Sequence, residues 1–171
     1  RTPTPRDMIE ALVAIPTVSR DSNLDCIDFI RDYLAGAGVS STLVKNDDGR
    51  KANLYATVGP MVGGGVVLSG HTDVVPVEDQ DWLSDPFQVV EKDGRLYGLG
   101  AAYMKSGCAA ALEALRALMA SEAKLRHGLC IALVVGEEEY GDGAEALFDT
   151  VSAPLAVVGE PTGLAPCLEH F

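Results

Sequence analysis

The sequence predicts an α/β fold of three layers, a mostly parallel or mixed central sheet between helices. Three observations predict it. Short apolar runs at Val66 to Leu68, Leu129 to Val135 and Leu155 to Val158 have the length and composition of buried strands. Each passes directly into polar residues: His71 and Asp73, then Glu137 to Glu139, then Glu160. Segments with helical spacing of apolar residues separate these runs, as crossover helices do in α/β sheets. In such sheets sites form outside the carboxyl ends of the strands, so parallel strands would gather these groups at one edge.

At 171 residues the chain is expected to form one domain with a substantial core. Its formal net charge of −12 argues against nucleic acid or an anionic membrane as partner, since phosphates are bound by clustered Lys and Arg. No apolar run approaches the roughly 18 residues needed to span a bilayer, and no signal-peptide pattern is present. Cys26, Cys108, Cys130 and Cys167 form no CxxC pair and have apolar neighbours. They read as reduced thiols in or near the core of a cytoplasmic protein.

In chain order, Thr4-Pro5 with Asp7 is a helix start, and Met8, Ile9, Leu12, Val13 and Ile15 form its apolar stripe up to Pro16. A second helix from about Asp21 or Ser22 turns Leu24, Ile27, Ile30 and Leu34 inward and ends at Gly36 or Gly38. Strands follow at 41–45 and 52–58 across a turn containing Asp48-Gly49. The glycine-rich loop Gly59 to Gly65 precedes a strand instead of joining strand to helix, which makes a nucleotide-binding domain the weakest reading. After the strand ending at His71 comes an irregular stretch, with Trp82 and Phe87 expected to pin it to the body. A hairpin then pairs 87–91 with 95–97. Lys105 to Ala120 reads as a long helix burying Leu112, Leu115, Leu118 and Met119, with small residues around Gly107 for close approach to the sheet. The last elements are the central strand at 129–135, a helix at 144–150 and a buried strand at 155–158.

One imidazole and several carboxylates suit Zn²⁺, Co²⁺ or Mn²⁺. His71 and Asp73, two apart, share a strand face, and a carboxylate there can fix the imidazole tautomer. Each feature also has a plainer reading: a histidine capping a strand, and a solvated acidic turn at Glu137 to Glu139.

Taken together, the words GHTDVVPV, DW-x-SDPF, DGRLYG, MKSG, EEE and VVGEPTG, in this order, resemble the M20-type metallopeptidases, and the resemblance covers nearly the whole chain, from about Pro5 to Gly163. The wording is nearest the acetylornithine deacetylase branch, with the succinyl-diaminopimelate desuccinylases as cousins. The resemblance implies a metal-dependent amide hydrolase with two Zn²⁺ (or Co²⁺) ions and a small N-acyl amino acid as substrate. It also implies a cytoplasmic setting in arginine biosynthesis. It makes His71 and Glu160 ligands of one metal, Glu139 a ligand of the second, Asp73 the partner that orients His71, and Glu138 the general base. It further implies that residues 1–171 are the first part of a zinc-exopeptidase-like catalytic domain, without the lid or dimerisation domain and the C-terminal catalytic part. A monomer is therefore expected.

The sequence departs from that pattern at Tyr103, which stands where the family has an aspartate bridging both metals. A carboxyl group is ionised at neutral pH, whereas ionising a phenol at pH 7 unaided costs on the order of 4 kcal/mol. Leu99, Ala101 and Asp79 also differ from the family's wording, and neither His127 nor His170 matches its late histidine ligand. The expectation is an impaired hydrolase holding two, one or no ions. The rival is a non-catalytic relative serving as a scaffold or single-metal module.

Overall fold

The computed structural model describes residues 3–60, 64–147 and 149–168. Its elements are α1 (Pro5–Ala14), α2 (Leu24–Gly36), β1 (Thr42–Lys45), β2 (Ala52–Val58), β3 (Gly65–His71), β4 (Val90–Lys92), β5 (Arg95–Tyr97), α3 (Lys105–Ala120), β6 (Gly128–Val134), α4 (Asp142–Leu147) and β7 (Leu155–Val158). Five strands form a mixed sheet in the order β1-β2-β6-β3-β7, and β4 and β5 form a separate hairpin. β1 and β2 pair antiparallel, as do β2 and β6. β3 lies parallel to both β6 and β7. The expected mixed sheet between helices is the fold observed.

Local chemistry accounts for the helix ends. Thr4 and Asp7 form a reciprocal capping box, and Pro5 occupies the first turn of α1, where its missing N–H costs nothing. The other end of α1 is closed from a distance. Buried Lys105, at the start of α3, donates from Nζ to the carbonyls of Leu12 and Ile15, both at 2.8 Å. A cation at a helix C-terminus complements the dipole and fills orphan acceptors, and burial lowers the pKa of this ammonium.

The two faces of the sheet are unequal. Under α1, α2 and α3, a large cluster includes Met8, Ile27, Ile30, Leu54, Leu112 and Leu133. The opposite face has a small cluster of Val67, Cys130, Ala132, Val134 and Leu147, the last from α4. β6 is central and buried along nearly its whole length, as expected.

Several expectations need correction. β7 is not a buried strand: all four of its residues are exposed, because it lies at the sheet margin beside β3 and neither core cluster takes in its side chains. Met119 is 38% exposed, since it falls in the last turn of α3, away from the buried stripe of Cys108, Leu112 and Leu115. Trp82 is partly exposed, and its indole N–H donates to the carbonyl of Val77, which packs with Phe87 against Val18, Val74 and Leu99. Cys167 is exposed; the other three cysteines are buried, and all four are free. α2 begins at Leu24, after the residues expected, and α4 spans Asp142–Leu147 instead of 144–150. His170 lies outside the described residues.

Candidate metal centre

The site sits where three parallel strands end. β3 delivers His71 and, just beyond it, Asp73; the turn after β6 delivers Glu137; the segment after β7 delivers Glu160. Registers pairing His71 with Val134 and Ser69 with Val158 align these strand ends. The convergence at one sheet edge that the sequence suggested is therefore what the backbone produces.

His71 is fully buried and held from several directions. Its backbone N–H points to Met104 Sδ at 3.2 Å, and its carbonyl accepts from the Cys108 thiol at 3.2 Å. Its Nδ1 lies 3.0 Å from the backbone carbonyl of Asp73, closer than the 3.5 Å to the Asp73 carboxylate. A carbonyl can only accept, so it fixes the proton on Nδ1 and leaves the Nε2 lone pair facing outward in the neutral ring. That Nε2 lies 3.3 Å from Glu160 Oε1 and 3.6 Å from Glu137 Oε2. It is buried, and no atom of the described residues hydrogen-bonds to it.

Asp73 does more than face the imidazole. Its Oδ2 accepts from Ser19 Oγ at 2.6 Å and from the Glu138 N–H at 3.2 Å, and its Oδ1 from the Glu137 N–H at 3.3 Å. This one carboxylate therefore fastens the end of β3 to the glutamate turn and to the segment after α1. The turn needs Gly136: its φ is +76°, and a Cβ there would lie 2.0 Å from Asp142 Oδ1.

The electrostatics follow from this crowding. Burial disfavours the imidazolium of His71, but the hydrogen bond and charge of Asp73, with the charges of Glu137 and Glu160, outweigh it and raise the pKa. Burial likewise opposes the Asp73 anion, yet its bonds from His71, Ser19 and the Glu138 N–H hold it below the ordinary value. Glu138 is pushed up, mainly by burial, with added repulsion from Glu137, Asp73 and Glu160.

Of the residues singled out in the sequence, His71, Asp73 and Glu160 come together, and Glu138 joins them through its backbone. Glu139 is exposed and outside the group. Tyr103, 44% exposed, sets its ring edge-on to the His71 imidazole with centroids 5.9 Å apart. The charge of Glu160 is the largest influence raising its phenol pKa, which keeps it neutral. Glu137 was visible only as one of three adjacent glutamates, and nothing in the sequence ranked it first. Ligand atoms of His71, Glu137 and Glu160 all lie within 4.8 Å of one another, so these residues could hold a metal ion.

Residues 67–168 match the model of Peptidase family M20/M25/M40. The chain belongs to this family. It is 37% identical to the acetylornithine deacetylase of Proteus mirabilis (strain HI4320) over 177 aligned positions. That alignment covers 98% of this chain and 45% of the deacetylase, so the chain spans less than half the length of this relative. Among solved structures, human carnosine dipeptidase 1 superposes with a TM-score of 0.79 at 23% identity, over 92% of this chain and 38% of that one. The M20 family metallo-carboxypeptidase Sso-CP2 from Sulfolobus solfataricus gives 0.76 at 19% identity, covering 92% and 37%. At these identities the likeness is one of fold. Among the described residues no helix is long and apolar enough to cross a membrane.

Proposed function

We propose that this chain is the first part of an M20-type catalytic domain whose chemistry is metal-dependent amide hydrolysis of a small N-acyl amino acid. N-acetylornithine is the leading substrate. The observation that carries the reading is the convergence of His71 Nε2, Glu160 and Glu137 beside Asp73 at the ends of three parallel strands. Identity to an acetylornithine deacetylase along nearly the whole chain supports the choice of acyl group, and with it a cytoplasmic place in arginine biosynthesis.

In this reading His71 and Glu160 hold a divalent ion, Zn²⁺ or Co²⁺. The donor set fits, since imidazole nitrogen and carboxylate oxygen suit both metals and the histidine presents a buried lone pair. When bound, the ion supplies a Lewis acid that polarises the scissile carbonyl and acidifies water. Asp73 fixes the imidazole and the glutamate turn. Glu138, with its pKa raised by burial, takes a proton from the attacking water and gives it to the leaving amine. Glu139 remains the residue assigned by resemblance to a second ion, but it stands exposed. Tyr103 offers a neutral phenol where a bridging carboxylate would be needed, so the two-ion centre is incomplete and turnover slow.

Ornithine release from N-acetylornithine, with Zn²⁺ or Co²⁺ added, tests this. Slow release by the native chain, rising at least tenfold with Tyr103→Asp, is expected. No release by either protein would sink the hydrolase reading in favour of a non-catalytic scaffold. A native rate that Tyr103→Asp does not improve would refute the impairment.

A further inference from the structure

Glu137 converges on the site but is assigned no ligand or proton-transfer role above, yet it stands closer to the working nitrogen of His71 than the sequence gave reason to expect. Its Oε2 lies 3.6 Å from Nε2, and Glu160 Oε1 lies 3.3 Å away on the same nitrogen. With bonds of about 2.0–2.1 Å, two ligand atoms on one tetrahedral zinc sit roughly 3.3–3.4 Å apart. The two separations from Nε2 are close to the edges of such a tetrahedron. Ligand atoms of the two carboxylates and the imidazole all lie within 4.8 Å of one another, close enough for one cation to reach all three. The buried Nε2, without a hydrogen-bond partner among the described residues, is aimed into the same space. Just before α3, Tyr103 brings a phenol ring, not a carboxylate, against the imidazole.

We propose that Glu137 is the third protein ligand, so that the chain holds a single divalent cation between His71, Glu137 and Glu160. Glu137 takes over, on the ion held by His71, the place of the carboxylate that position 103 does not provide. The backbone makes this arrangement firm. The Glu137 and Glu138 N–H groups both donate to Asp73, and Gly136 makes the turn, so the Glu137 side chain leaves from a fixed point. Its neighbour Glu139 starts two residues further along and lies outside the group.

This inference rests on the metal-site reading of the proposed function, but its test does not depend on turnover. Titration calorimetry of the metal-stripped chain with Zn²⁺ and with Co²⁺ is expected to give one ion per chain. Co²⁺ should also develop the intense visible bands of a four-coordinate site. Glu137→Gln should weaken binding at least tenfold and diminish those bands, with Glu139→Gln within twofold of the native affinity. Circular dichroism confirms that each variant is folded. Glu137→Asp keeps the charge but shortens the reach, and it should also lose affinity. If Glu137→Asp binds as the native chain does, the residue acts only through its charge and the ligand assignment is wrong. Two ions per native chain, or a Glu139→Gln loss matching that of Glu137→Gln, would overturn it as well. One-ion binding sensitive to Glu137, with no ornithine release, leaves this inference standing and removes only the hydrolase reading.

Discussion

β6 and β7 flank β3 on opposite sides, run parallel to it, and each leads into a glutamate at the same edge. In every other respect they differ. β6 is enclosed by the α1–α3 cluster on one face and the smaller α4 cluster on the other, whereas β7 is bare along all four residues. Alignment of the site thus depends on hydrogen-bonded register with β3, while rigidity depends on packing, and the two glutamate arms share only the first. The Glu137 arm grows from the best-buried strand and is tied to Asp73. The Glu160 arm hangs from an edge strand, held by the Gly159 N–H to the Ser69 carbonyl at 3.3 Å and by contact with α3.

The largest expected effect belongs to the β6 side. Leu133 is fully buried in the main cluster, and Leu133→Ala deletes side-chain atoms whose neighbours cannot all collapse inward. A loss of about 2–5 kcal/mol in chemical denaturation is expected. A loss below 1 kcal/mol would mean that β6 is not the rigid arm and that the contrast with β7 is false.

The contact that secures β7 gives an intermediate effect. Gly107, near the start of α3, lies so close to β7's exit that a Cβ there would stand 2.4 Å from the Gly159 carbonyl oxygen. The obstacle is backbone, which can yield only if the strand end moves. Gly107→Ala should cost about 1–3 kcal/mol by overpacking, despite the better helix propensity of alanine. It should also weaken Zn²⁺ binding by shifting Glu160. Unchanged stability together with unchanged Zn²⁺ affinity would show that this contact does not position the arm.

The sequence made the fold and the convergence at one edge legible because both rest on period and order. Apolar runs ending in His71, Glu137 to Glu139 and Glu160 are countable along the chain, and so was the small residue at 107. Other features were not legible, because they depend on spatial arrangement and not on residue type. Leu155 to Val158 reads as buried because Val and Leu carry the same signal at a sheet margin as at its centre; only strand order distinguishes them. Likewise three consecutive glutamates look alike until the turn at Gly136 points one of them at His71. The Asp73 carbonyl as tautomer-fixing acceptor was hidden too, since any residue has a carbonyl. The close approach behind residue 107 was foreseeable only as a need for a small side chain, not as a grip on Gly159.

The smallest effect tests the bare margin most sharply. Val157 is 50% exposed, although its strand is aliphatic throughout. Removing two methyl groups that already face water forfeits little transfer free energy and leaves no cavity, so Val157→Ala should change stability by no more than about 0.5 kcal/mol. Hydrogen exchange supplies a second reading of the same strand. β6 amides bond within a packed centre and should open only with global unfolding, whereas β7, paired on one side, should exchange through local fraying. A cost near 2 kcal/mol for Val157→Ala, with β7 amides protected as well as those of β6, would require something to cover β7 in solution. The Glu160 arm would then be as firmly held as the Glu137 arm, and the asymmetry between the two sides of β3 would disappear.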